Sequence, residues 1–331
     1  MHPKLKLIVA LLLTVAFLAG CGQSSSRNNN IVDTTPITIE NRPLILNVEK
    51  DKVLVYFASE NDRYLIPITL PINPTKEAAK VAIEKVLAGP GDWLLSNTIP
   101  EGTKLIDLYI RDTLAYVDLT SHFKNFREYK SVEMAIDSLV LTITEFSDVE
   151  QVQFLIEGVM VADINGFELN KTFVRPLFIN TLGDINEEDK RLHVYFSDPN
   201  ALYVVPVGFS VSITSDTIQV VERVMQELIK GPPQDSDLIG TIWPGTRLIS
   251  VSYYPEDELV AINLSEEAIG YGGGAAMEML FINSLLHSVT SIEGVNWVQI
   301  LIEGEKTDYL PEGTDVSAPI TRQKNINFIS L

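Results

Sequence analysis

The chain has 331 residues, of which 46% are hydrophobic and 21% are charged. This composition excludes a chain that is disordered or fibrous throughout, and the length predicts about two domains. The 44 acidic side chains exceed the 25 basic ones and give a net charge of −19, so no nucleic-acid partner is expected, because binding to phosphates depends on Lys and Arg.

The first 20 residues predict a signal peptide. Lys4 and Lys6 precede an apolar stretch, residues 7–18, that is too short to span a membrane but suits the apolar region of a secretory signal. The segment continues as Ala-Gly-Cys, ending at Cys21, the single cysteine of the chain. This pattern resembles the lipobox of bacterial lipoproteins. The resemblance implies cleavage after Gly20, a diacylglyceryl group with palmitate on Cys21, and a location on the cell membrane facing outside the cytoplasm. The alternative is an ordinary secretory signal with a chance cysteine.

Residues 21–50 predict a flexible tether. Residues 22–30 contain only Gly, Gln, Ser, Arg and Asn, and they offer no apolar side chain to bury. We expect this segment to hold a folded body away from the membrane, and a polar binding tract is the alternative.

The lone cysteine also excludes an internal disulfide framework and any Cys-rich metal site.

The rest of the chain consists of one unit that occurs twice, because five short motifs recur in the same order. Given as first and second occurrence, they are Val53–Phe57 and Leu192–Phe196, Tyr64–Ile68 and Tyr203–Val207, Gly89–Pro90 and Gly231–Pro232, Pro100–Leu105 and Pro244–Leu248, and Val152–Gly158 and Val298–Gly304. A polar, acidic stretch separates the two units. The predicted domains are therefore residues 51–183 and 188–331.

Each unit predicts the order strand, strand, helix, strand, strand, helix, strand. The first helix stops at Gly89–Pro90 and its counterpart at Gly231–Pro232, since glycine tolerates positive φ and proline cannot continue a helix. Apolar residues at helical spacing predict the second helix over 132–143 and its counterpart over 276–289. The predicted fold class is α+β, with two tandem two-layer α/β sandwiches and a mainly antiparallel sheet.

A predicted hairpin with period-two alternation lies between the helices of each unit. We expect one face to pack on the helices, and the other face to carry Asp107, Tyr116 and Asp118 in the first unit. The apolar sets are Ile106, Leu108, Ile110, Ala115, Val117 and Leu119 in the first unit, and Ile249, Val251, Tyr253, Val260, Ile262 and Leu264 in the second.

The sequence predicts no catalytic residue, no metal and no cofactor. An acid–base mechanism needs its carboxylates in each working unit, but Asn263 replaces Asp118 and Ser250 replaces Asp107. The four histidines are scattered, without a zinc-binding spacing. Neither a phosphate loop, a dinucleotide fingerprint nor a Gly-x-Ser-x-Gly elbow occurs.

Two weak candidates for a binding site remain. Glu157 and Glu303 match between the units, but each directly precedes a glycine after a strand, so a turn hydrogen bond explains them more simply than catalysis. Gly272, Gly273 and Gly274 precede the last helix, where backbone N–H groups could hold an anion, and a flexible turn is the simpler interpretation.

The doubled motifs resemble the GerM domain of sporulation and spore-germination lipoproteins. The resemblance rests on Tyr-Phe followed by Tyr-x-x-Pro, a helix ending in Gly-Pro, Pro-(Glu)-Gly-Thr-(Lys/Arg)-Leu and Val-Gln-x-Leu-Ile-Glu-Gly, and it covers about 53–180 and 192–322. It implies an α+β fold similar to the ring-building domains of envelope assemblies, and no known catalytic residues. The shortened turn at Pro244–Gly245 departs from the pattern, as does the missing glycine before the second helix of the first unit.

We therefore expect a non-catalytic, membrane-anchored envelope lipoprotein that acts in sporulation or spore germination as an interaction or assembly module. The expected partners are the membrane, through the diacylglyceryl-modified Cys21, and proteins of an envelope or sporulation complex, with homo-oligomerisation as a further option. One alternative is a general envelope lipoprotein that binds a ligand or peptidoglycan. Another is a cell-wall hydrolase, which a carboxylate pair in a cleft between the domains would favour.

Overall fold

The computed structural model describes residues 41–181, 186, 189–212, 216–270 and 274–329. The predicted signal peptide, Cys21 and residues 21–40 of the tether lie outside these residues. The tether prediction is wrong for its last part, since Arg42 and Pro43 pair in a sheet and Leu44 and Leu46 are buried in the core. The described residues belong to one compact unit with an α+β fold. Below, the first half denotes residues 41–181 and the second half residues 186–329.

The first half contains ten strands and two α-helices among its described residues. They are β1 (Arg42–Pro43), β2 (Lys50–Ser59), β3 (Leu65–Thr75), α1 (Ala78–Ala88), β4 (Leu95–Ser96), β5 (Leu105–Arg111), β6 (Leu114–Leu119), α2 (Tyr129–Ile143), β7 (Gln151–Ile156), β8 (Asp163–Ile164), β9 (Phe167–Glu168) and β10 (Phe173–Val174). A 3-10 helix, Ser121–Lys124, links β6 to α2.

The second half repeats this order. Its elements are β11 (Lys190–Ser197), β12 (Val204–Val211), α3 (Thr217–Lys230), β13 (Leu248–Tyr254), β14 (Leu259–Leu264), α4 (Gly274–Val289), β15 (Trp297–Ile302) and β16 (Glu305–Lys306), with 3-10 helices at Gln234–Ser236, Pro255–Asp257 and Glu266–Ile269. The predicted order of strands and helices is confirmed in both halves.

Each half divides its strands between a hairpin and a three-stranded core sheet. The hairpins are β2–β3, which β4 extends, and β11–β12, and the core sheets are β5-β6-β7 and β13-β14-β15. Most pairs are antiparallel, but β6 runs parallel to β7 and β14 parallel to β15, because a crossover helix connects the two strands of each pair. In addition, β1 and β10 flank the first core sheet and β16 the second, and β8 and β9 form a small separate pair.

Both first helices of the halves end where the sequence predicts. Gly89 and Gly231 follow α1 and α3 with φ of 85° and 77°, a conformation that favours glycine. The apolar face of each helix enters the core. The buried residues at helical spacing are Ala79, Ala82, Ile83 and Val86 in α1, and Val221, Val224, Met225 and Leu228 in α3.

The prediction that Ile106 and Ile249 face the helices is wrong. These two residues are 48% and 46% exposed. The pairing of β5 with β6 and of β13 with β14 slips by one residue at these positions, so each isoleucine is the extra residue of a β-bulge. A bulge interrupts the alternation of faces, and the predicted apolar face resumes beyond it with the buried Leu108.

Buried hydroxyl groups tie each hairpin to the second helix of its half. Ser138 Oγ on α2 donates to the carbonyl of Tyr56 on β2 at 2.6 Å, and Ser284 Oγ on α4 donates to the carbonyl of Tyr195 on β11. The two helices are thus equivalent residue by residue, with Ser138 matching Ser284. This equivalence allows the surroundings of the two halves to be compared directly.

Candidate functional site

Glu157 and Glu303 occupy equivalent turns, one in each half. Both have positive φ, 53° and 50°, and each is followed by a glycine with positive φ, as in a two-residue type I′ turn. Glu157 Oε1 accepts a hydrogen bond from the N–H of Ser121 at 2.9 Å, and Glu303 Oε1 accepts one from the N–H of Glu266 at 3.1 Å. Each carboxylate therefore fastens its turn to the start of a 3-10 helix within its own half.

The exchange of Asp118 for Asn263 also has a structural reason. Asp118 Oδ1 accepts a hydrogen bond from the N–H of Gly158 at 2.9 Å, and Asn263 Oδ1 accepts one from Gly304 at 2.8 Å. Aspartate and asparagine both offer this oxygen. Although Asp118 was predicted on the face away from the helices, it does not lie on an open surface, since the residue is only 6% exposed where the turn reaches over it.

The remaining sequence candidates form no site in the described part of the chain. Gly272 and Gly273 lie outside the described residues, and Gly274 begins α4 with φ of 67°. Among the described residues, no group of three or more His, Cys, Asp or Glu is placed to hold a metal ion. Within the same residues, no helix is both long and apolar enough to cross a membrane.

The structure shows a feature that sequence reasoning missed, a junction between the two halves. Asn180, in the tail of the first half, accepts from the N–H of Leu65 at 2.7 Å and donates to the carbonyl of Leu65 at 2.9 Å. The same amide donates to the carbonyl of Pro206 on β12 at 2.7 Å. One side chain thus connects the hairpin of the first half to that of the second.

Asn327 makes the equivalent contacts from the tail of the second half. It accepts from the N–H of Val204 at 2.9 Å and donates to the carbonyls of Val204 and Pro67 at 2.8 and 2.9 Å. Val204 matches Leu65 and Pro67 matches Pro206 in the repeat. The junction therefore has pseudo-twofold symmetry, because the asparagine of each tail forms hydrogen bonds with both β3 and β12.

The repeated Tyr-x-x-Pro motif belongs to this junction. Tyr64 Oη donates to the carbonyl of Ser236 in the second half, and Tyr203 Oη donates to Asp92 Oδ2 in the first, both at 2.5 Å. Burial, and then the Asp92 carboxylate, raise the pKa of Tyr203 above its usual range. Two features of the sequence could have predicted the junction: the repeated Tyr-x-x-Pro motif and the Ile-Asn pair that occurs in both tails.

A cleft of about 800 Å³ lies beside the junction on the first half. Its acidic lining residues are Asp62, Glu128, Glu133 and Asp137, and its basic ones are Arg63 and Lys130. Arg63 is paired with Asp237 of the second half at 2.5 Å, which leaves Lys130 against four carboxylates. Burial, and then the neighbouring Glu133, raise the pKa of Asp137 to about 6.

The equivalent place on the second half holds a smaller cleft of about 230 Å³ with a different lining. Asn283 matches Asp137, and His287 matches Leu141. Burial, and then Arg322, lower the pKa of His287 to about 4, so the ring is neutral at physiological pH. The two halves thus share a framework but differ in the charge of their clefts.

The fold and the junction define a protein built from two similar α+β units. A family model described as sporulation and spore germination, Germane, matches residues 54–162 and 193–308, more than half of the chain. The chain belongs to this family.

One solved structure shows the same fold. The tandem GerMN domains of the sporulation protein GerM from Bacillus subtilis are 21% identical, with a TM-score of 0.64, covering 84% of this chain and 99% of that one. A putative lipoprotein from Clostridium perfringens is 25% identical, with a TM-score of 0.30, covering 42% of this chain and 92% of that one. A search of curated proteins finds no match.

Proposed function

We propose that this protein is a non-catalytic lipoprotein of the bacterial envelope, anchored through Cys21, that acts in sporulation or spore germination as an interaction or assembly module. The family match supports the biological process. The lipobox-like sequence that ends at Cys21 supports the anchor, since two acyl chains give stable membrane attachment where one is marginal. The partners are proteins of an envelope or sporulation complex.

The proposal of a non-catalytic role is supported by one observation: the polar residues that the two halves share have structural roles. The side chains of Glu157 and Glu303 accept backbone hydrogen bonds in turns, and those of Asn180 and Asn327 form the junction. These groups maintain the framework of each half. Surfaces that differ between the halves are then left for recognition of partners.

The anchor is tested by Cys21→Ala in a sporulating strain that lacks the chromosomal copy. We expect the variant to leave the membrane fraction and to lower the yield of heat-resistant or germinating spores, because the acyl chains supply the attachment. Fractionation by immunoblot and spore counts measure both effects. If the variant stays with the membranes after a salt wash, the anchor proposal is wrong.

The non-catalytic role is tested by the double variant Glu157→Gln with Glu303→Gln. Glutamine keeps an oxygen that can accept the hydrogen bonds of Ser121 and Glu266, so we expect a folded protein with most of its activity in spores. A double variant that is folded yet inactive would give the glutamates a specific role and contradict the proposal.

The acidic cleft favours a second candidate function, a lipoprotein that binds a ligand. The hydrolase alternative asks for a carboxylate pair between the domains, whereas Glu133 and Asp137 both lie on α2 of the first half. Replacing them by Gln and Asn removes two charges from the cleft. Loss of spore activity in this folded double variant would favour the ligand-binding or hydrolase function, and unchanged activity favours the interaction module.

A further inference from the structure

The two core sheets differ at one edge. In the first half, β1 covers the outer edge of β5, with Arg42 opposite Ile110 and Pro43 opposite Tyr109. In the second half, β13 is the outermost strand, and no described residue pairs with its outer edge. The outer edge of β5 is therefore paired, whereas the equivalent edge of β13 has no pairing strand among the described residues.

The open edge is also less well buried. Leu108 and Ile110 on β5 are only 6% and 2% exposed, and Leu44 and Leu46, which follow β1, are buried in the same core. The equivalent residues on β13, Val251 and Tyr253, are only partly buried. An uncovered row of apolar side chains beside unpaired backbone groups is a template for the addition of a strand.

The direction of the free backbone groups follows from β1. Pro43 has no N–H, so the hydrogen-bonded pair of that ladder is Arg42 with Ile110, and the N–H and C=O of Ile110 point outward. Tyr253 matches Ile110 in the repeat, with the same bulge register. Val251 and Tyr253 therefore present their backbone groups at the open edge.

We propose that β13 pairs antiparallel with β13 of a second copy of this chain, giving a twofold dimer with one sheet continuous across both subunits. The opposite charges at the two ends of β13 favour a second β13 as the partner strand. Arg247 precedes β13 with its side chain 71% exposed and 3.9 Å from Glu267 of the same half, and the exposed Glu256 and Asp257 follow the strand.

A pairing centred on Val251 brings Arg247 beside Glu256 of the partner subunit, and the twofold symmetry forms this contact twice. It also places Val251 against Val251 of the partner subunit on the helix side. A chain with a net charge of −19 repels its own copies, so association depends on such local complementarity. This dimer goes beyond the proposed function, and neither depends on the other.

Cysteine cross-linking in the full-length chain tests the pairing. Ser250 and Ser252 lie opposite each other across the proposed interface, so Ser250→Cys with Ser252→Cys should give an oxidised dimer at twice the mass of the chain. The matched control is Asp107→Cys with Tyr109→Cys, the equivalent pair on the covered strand β5, which should stay monomeric. The chain with Cys21 alone controls for cross-links through the native cysteine.

Substitutions in the cross-linking background identify the contacts. Arg247→Glu should weaken dimerisation about ten-fold, and adding Glu256→Arg should restore it, because the reversed charges meet again across the interface. Lys104→Glu, at the position that matches Arg247 in the first half, should have no effect. Val251→Pro removes an outward N–H and should abolish the dimer, and thermal unfolding checks that this variant still folds.

The proposal is overturned if the paired cysteines give no dimer, if they cross-link to a different protein instead, or if the β5 control cross-links equally well. It is also overturned if Arg247→Glu leaves the dimer unchanged, a test on an exposed residue that does not depend on whether Val251→Pro folds. Restoration by Glu256→Arg is expected only when the two residues come from different subunits.

Discussion

Asn180→Ala should destabilise the whole described body, although the substitution removes only one small polar side chain. The amide makes three hydrogen bonds, two to Leu65 and one to Pro206. At about 1 kcal/mol of net stabilisation for each bond, the loss is about 3 kcal/mol, and it leaves three backbone groups of the junction without a protein partner. Asn327→Ala should cost a similar amount, because its contacts are equivalent.

Two further variants sharpen this prediction. Asn180→Asp keeps the oxygen that faces the Leu65 N–H but sets a carboxylate oxygen against two carbonyls, so it should cost at least as much as alanine. Asn61→Ala is the control, since Asn61 reaches the second half through one exposed 3.3 Å bond to Asp237 and otherwise accepts only local bonds from Ser59 Oγ and the Arg63 N–H. It should cost about 1 kcal/mol, well below the loss for Asn180→Ala.

Urea unfolding followed by tryptophan fluorescence and circular dichroism measures these free energies. A loss below about 1 kcal/mol for both Asn180→Ala and Asn327→Ala would refute the reasoning, because the junction would then contribute little to stability. A change in the slope with urea, or separate transitions for the two probes, would show that the halves unfold independently in the variant.

The same junction bears on the prediction that fragments 48–183 and 188–331 fold separately. Each fragment contains its own helices and strands, so we expect each to unfold cooperatively. Each keeps two bonds of its tail asparagine and loses the third, from Asn180 to Pro206 or from Asn327 to Pro67, so mixing the fragments should raise the stability of both, and Asn180→Ala should reduce this gain. Fragments that stay unfolded alone would indicate one intertwined domain.

Two predictions concern pH, and the repeat supplies the substitutions. The pKa of Asp137 is raised to about 6 from 3.8, so the fold favours the protonated form and loses stability as pH rises from about 4 to 6. Asp137→Asn, as in the matching Asn283, should therefore stabilise the protein by about 1–2 kcal/mol at pH 7.5 and leave its stability unchanged at pH 4. Urea unfolding at the two pH values measures both effects. The pKa of His287 is lowered to about 4 from 6.5, so its neutral form contributes stability that is lost as pH falls through that interval. His287→Leu, as in the matching Leu141, should remove this loss in thermal unfolding, and a parallel decline of variant and parent would contradict it.

Much of the fold follows from local sequence. The helix ends at Gly89 and Gly231 depend on the backbone freedom of one residue, and the order of elements follows from apolar spacing within short windows. The role of Glu157 in a turn could be predicted from the sequence for the same reason, since the glycine next to it indicates a tight turn. Ile106 was misplaced because a bulge inserts one residue without altering the alternation on either side.

The sequence alone determined the repeat, the α+β order and the resemblance to the GerM domain. Only the tertiary structure decided how the halves meet, because Asn327 bonds to Pro67 across 260 residues and Tyr64 to Ser236 across 172. Contacts at such separations depend on how complete elements pack, and no local spacing records them. The same applies to the acidic cleft at Asp137 and to the open edge of β13, where the two halves, alike in sequence pattern, differ in what surrounds them.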